Sequence, residues 1–178
     1  MSIKELTDIV SAPEHPIEIG DIQAWRVFEQ RIGLEFPKEW YDVSVTYGTG
    51  AFGGELKLLN PFSSSFSQIL NHQLEILRYA ERYDAGGDPY SLHPDRPGLF
   101  PWARDANGYG LCWYTEGDPD EWPIIVTLPR EEETGLYQMS MTAFLVKAFK
   151  GEIQEPIRYE PMSEENRFFV PAKLSEGG

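Results

Sequence analysis

From Leu99 to Met139 the chain carries four apolar, strand-like runs in succession, with no helical stretch between them. Leu99 to Arg104 and Tyr109 to Tyr114 flank Asp105-Ala106-Asn107-Gly108, whose Asn-Gly pair favours the left-handed backbone of a tight hairpin turn. Trp122 to Leu128 is rich in β-branched residues and makes a third strand, and Gly135 to Met139 makes a fourth. Consecutive strands, with helices before them and one after, predict an α+β fold around an antiparallel-rich sheet.

The flanking helices are read from spacing and caps. Asp21 is a good N-cap, and Ile22, Trp25, Phe28 and Ile32 follow at steps that place them on one face. Gly33 supplies the left-handed stop. Pro37 suits the first turn of a second helix, which buries Trp40, Val43 and Tyr47 and ends at Gly48. A short strand from Glu55 to Leu59 and a turn at Asn60-Pro61 lead to the longest helix. That helix opens with Ser65 and Gln68 in capping-box form and runs to Gly86-Gly87, with Phe66, Ile69, Leu70, Gln73, Leu74, Leu77 and Ala80 inward. Asp88 to Gly98 reads as an irregular loop, and Ser140 caps a closing helix with Phe144, Leu145 and Ala148 inward, ended by Gly151. The expected organisation is a lead-in over 1–20, one domain over 21–151 and a C-terminal extension over 152–178.

Composition removes several functions. The 178 residues include 15 basic and 29 acidic side chains, a formal charge of −14. Nucleic-acid binders neutralise phosphates with Lys and Arg, so this balance argues against them and against anionic lipid surfaces. The hydrophobic content of 41% suffices for a full core. One cysteine, Cys112, excludes an internal disulfide framework and a multi-cysteine zinc site. No apolar run reaches the roughly 18 residues of a membrane span, and the N-terminus lacks a signal-peptide pattern. The expected setting is soluble, reducing and cytoplasmic.

Motifs for chemistry are weak. Gly48, Gly50 and Gly53 spell the dinucleotide fingerprint, but the segment leaves a helix and enters a strand, the reverse of what pyrophosphate binding needs. His15, His72 and His93 have no metal-ligand spacing, and Cys112 lies in an apolar strand as a small hydrophobe. Turn carboxylates lack the apolar surroundings that tune a general acid. The reading is of a protein without cofactor, metal or catalytic residues.

The acids are informative as a surface. Between Asp105 and Glu133 there are eight acidic residues and one basic, a net −7, which is half the chain's charge. Trp102, Trp113, Tyr114 and Trp122 alternate with these turns, and aromatic anchors ringed by acids suit a basic protein partner. The candidate partner-binding residues are Trp102, Asp105, Glu116, Asp118, Asp120, Glu121, Glu131, Glu132 and Glu133. Trp113 and Trp122 are assigned to the core instead.

Trp25, Phe28-Glu29, Ile32-Gly33-Leu34 and Phe36-Pro37, followed by Tyr47-Gly48, Gly50 and Phe52, resemble the N-terminal signature of the SUKH superfamily. That group holds fungal regulators of glucan synthesis and many bacterial immunity proteins. Leu99-Phe100-Pro101-Trp102, Asn107-Gly108, Cys112 to Thr115, Gly117, Pro119, Trp122, Ser140 and Phe144-Leu145 are similar to its later strands and closing helix. The resemblance spans roughly 20–151. It implies helices packed on a central sheet and a non-enzymatic immunity protein that neutralises a polymorphic toxin domain, often a basic nuclease. The alternative it carries is a regulatory or ligand-binding scaffold of the cell-wall branch. Ser44 and Thr46, more polar than the family norm, and the extension past 151 are departures.

Overall fold

The computed structural model describes residues 2–83, 90–106, 108–127, 134–153, 165 and 167–172. Helix α1 (Ile3–Ile9) is opened by a capping box between Ser2 and Glu5. Helix α2 (Ile22–Ile32) starts where the Asp21 carboxylate accepts the Ala24 amide at 2.8 Å and stops at Gly33, whose φ is 75°. Its core side is Trp25 and Phe28, while Ile22 on the opening turn stays 55% exposed. Helix α3 (Lys38–Tyr47) buries Trp40, Val43 and Tyr47. Strands β1 (Gly50–Phe52) and β2 (Leu56–Leu58) form a hairpin, and α4 (Phe66–Tyr83) follows. Then come β3 (Leu99–Arg104), β4 (Gly110–Tyr114), β5 (Ile124–Thr127), β6 (Gly135–Tyr137), α5 (Met141–Phe149) and β7 (Phe169–Pro171).

These strands make one seven-stranded antiparallel sheet in the order β6-β5-β4-β3-β2-β1-β7, so the protein is α+β. Every residue of β5, and all but the last of β3 and β4, is buried. Successive side chains of a strand point to opposite faces, so the central strands are covered on both. On one face Phe100 and Trp113 meet Phe36 and Trp40, with the Trp40 ring 5.2 Å from Trp113 and 4.7 Å from Phe36. Edge-to-face pairs of this kind add about 0.5–1.5 kcal/mol each beyond the burial of area. Gly110 shows what lies on the other face: a Cβ there would meet the amide of Gln73 of α4 at 2.7 Å. Gln73, placed inward by its helical spacing, is 2% exposed.

One expectation changes. The glycine-rich segment 48–54 was expected as a helix-to-strand turn, yet it contains β1, paired on both sides by β2 and β7. Gly50 lies so close to β7 that a Cβ would stand 2.4 Å from the Val170 carbonyl oxygen, and at Gly48 it would meet Ile17 of the lead-in at the same distance. These glycines admit neighbouring backbone, not phosphate. The lead-in and the extension also join the body: Leu6 and Val10 are fully buried, α1 packs on α5 and α3, the Tyr47 hydroxyl donates to the Val10 carbonyl at 2.7 Å, and β7 sits in the sheet. The Gly86-Gly87 stop, Asn107 and residues 130–133 of the turn expected from Arg130 to Thr134 lie outside the described residues.

Candidate partner-binding face

An antiparallel meander sends successive connections to opposite ends of the sheet. Arg104, Gly110 and Thr127 lie in register at one end, and Thr127 leads toward β6 there. Leu99 and Tyr114 pair at the other end, from which the β4–β5 connection departs. The acids grouped along the sequence are therefore divided. Asp105 belongs to the first end, and Glu116, Asp118, Asp120 and Glu121 to the second. Glu131, Glu132 and Glu133 lie outside the described residues.

Two candidates leave the surface altogether. Trp102 has no exposed area: two residues past Phe100 it shares that residue's covered face, beside Trp113 and Phe144. It cannot serve as a surface anchor. Asp105 is 7% exposed and its carboxylate accepts the Tyr109 amide at 2.9 Å, so it holds the β3–β4 connection. Trp113 and Trp122, assigned to the core, are 1% and 5% exposed.

What remains is a compact acidic loop over 115–122, held at several points. The Thr115 hydroxyl donates to the Gly98 carbonyl at 2.9 Å and accepts the Gly98 amide at 3.0 Å. The Trp122 indole N–H donates to the Gly117 carbonyl at 3.3 Å. Asp118 caps the 3-10 turn Pro119–Glu121 by accepting the Asp120 amide at 3.0 Å. Asp120 in turn accepts the Lys38 amide, the first of α3, at 2.8 Å. Pro37 at the N-cap has no side chain for that task, so a carboxylate from 82 residues away does it and also meets the positive end of the helix. Glu116 and Glu121 are exposed, and neither forms an ion pair among the described residues. The loop thus offers four carboxylates with two of them locked to backbone.

Sequence reading missed a further carboxylate of this kind. Glu39 of α3 accepts the Met141 and Thr142 amides and the Thr142 hydroxyl, capping α5 beside Ser140. No local signal announces this bond, because its partners are 102 and 103 residues distant.

Cys112 is fully buried. His93 packs edge-on against Phe100 at 5.3 Å, and burial, with Arg96 and Arg78 nearby, holds its imidazole below the usual pKa. His72 is exposed, and exposed His15 lies 3.9 Å from Glu14. Among the described residues no cluster of three or more His, Cys, Asp or Glu side chains is arranged to hold a metal ion, and no helix is long and apolar enough to cross a membrane.

A family model described as SMI1-KNR4 cell-wall matches residues 22–145, from the first residue of α2 to the middle of α5. No curated protein and no solved structure matches the chain. The match takes in both signature regions and the sheet core from β1 to β6, and the chain belongs to the SMI1-KNR4 family of the SUKH superfamily.

Proposed function

We propose that this protein is a cytoplasmic, non-enzymatic immunity protein that binds a basic toxin domain and blocks its active site or its access to substrate. The observation that carries the reading is the loop over 115–122. It presents Glu116, Asp118, Asp120 and Glu121 from a backbone tied to α3 and to Gly98, with no cation set against them among the described residues. Such a loop loses little conformational freedom on binding, and its charge steers a cationic partner into encounter. A nuclease domain that grips phosphates supplies the complementary charge.

The test is co-purification from the native cell followed by binding kinetics. A basic toxin domain is expected with the protein, and Glu116→Lys with Glu121→Lys should slow its association by about tenfold or more at low salt. Recovery of no basic partner, or association indifferent to this reversal, overturns the proposal. The cell-wall description of the family supports a second reading, a regulatory scaffold. That role predicts several partners of mixed charge instead of one basic domain.

A further inference from the structure

The register places Val170, Ala51, Lys57 and Arg104 side by side across β7, β1, β2 and β3. The same row continues through Gly110 and Thr127, so it lies on the face that α4 covers farther along. Over β1, β2 and β7 that cover stops, and a groove of about 370 Å³ opens beside the first turn of α4. Phe66, Ile69 and Val170 are apolar residues of its lining, and Ser63 and Ser65 line it too. Such a volume falls within the range of small-molecule sites.

Lys57 and Arg104 both line the groove from directly opposed positions, where Cβ atoms stand about 5 Å apart. Like charges so placed repel, and neither has an ion-pair partner among the described residues. Yet the chain carries 29 acidic side chains against 15 basic ones. Two adjacent cations over an apolar floor, uncompensated in so acidic a molecule, are the arrangement that an anionic ligand would complete.

We propose that this groove binds a small organic anion: a phosphate or carboxylate head held between Lys57 and Arg104, with an apolar body on Ile69 and Val170. The site is separate from the acidic loop, which leaves from the opposite end of the sheet.

Amide-resolved NMR titration of the whole chain tests this with four probes: phenyl phosphate, benzoate, inorganic phosphate and benzyl alcohol. Phenyl phosphate and benzoate should give saturable shifts at Ala51, Lys57, Leu58, Arg104 and Val170. The head alone and the uncharged body alone should bind at least about tenfold more weakly. Lys57→Glu should weaken phenyl phosphate by about tenfold or more and raise the melting temperature, since a carboxylate opposite Arg104 relieves the repulsion. Lys57 is exposed, so the variant folds. Absence of saturable shifts at these amides, equal binding of inorganic phosphate, or a Lys57→Glu protein that binds and melts as the parent does would each overturn the proposal.

Discussion

At the β4–β5 end of the sheet, carboxylates are held by main-chain amides: Asp118 takes the Asp120 amide, and Asp120 the first amide of α3. On the β2–β3 row, Lys57 and Arg104 face each other with no opposite charge against either among the described residues. The acidic region is integrated into the fold and the cationic one is not. Asp21, Glu29, Glu39 and Asp105 follow the acidic pattern, each accepting backbone N–H groups. Net charge therefore overstates the charge free for a partner. An anion beside helix-start amides stabilises the fold, whereas a cation pair in register gains only when something arrives to neutralise it.

The sharpest way to break this contrast is Glu39→Ala, which strips two amides and a hydroxyl at the start of α5 of their acceptor. Charge-assisted bonds of this kind put the loss near 3 kcal/mol, read as a lowered midpoint in guanidinium unfolding with unchanged slope. A loss no larger than that of a surface substitution would show that water replaces the carboxylate. Asp120→Ala should cost about 1 kcal/mol, as loss of an N-cap does, and should fray the first turn of α3 in hydrogen exchange. Glu116→Gln with Glu121→Gln should leave stability within about 0.5 kcal/mol of the parent, because these side chains hold nothing. If that pair destabilises as Asp120→Ala does, the division between structural and available acids fails.

The weakest signal is a pH slope at His93. Its folded-state pKa lies below the usual imidazole value, through burial first and then through Arg96 and Arg78. The unfolded chain therefore takes up a proton more readily, and this contribution is intact at pH 7 and is lost as pH falls from about 6.5 toward the folded value. Urea unfolding of the parent and of His93→Gln between pH 7 and 5 should show the parent losing more stability on acidification. Parallel curves would mean that the imidazole is solvated in the folded protein.

Local grammar made α2, α3, α5 and strands β3 to β6 legible. Asp21 and Ser140 cap their helices as expected, and Gly33 and Gly48 end theirs with positive φ. The edge of the sheet was illegible for a physical reason. β1 lies among glycines that read as a turn, and it is a strand because β2 and β7 pair it on both sides. Trp102 is buried because β3 is covered on both of its faces, which spacing within the strand does not announce. The acidic cluster was visible as composition, but its division between two ends follows from strand direction, which residue counts do not contain. Lys57 and Arg104 are 47 positions apart, and only register makes them neighbours.

Strand β7 gives the sheet a consequence in time. Every other neighbouring pair joins strands that follow one another in the chain, whereas β1 meets β7 only after more than a hundred intervening residues have been made. Until Phe169–Pro171 leaves the ribosome, the outer rim of the β1–β2 hairpin stands bare, its N–H and C=O groups open to any passing strand. The rim of that hairpin is open to mispairing while β7 is still missing, and docking of that segment covers β1 and adds Val170 to the groove.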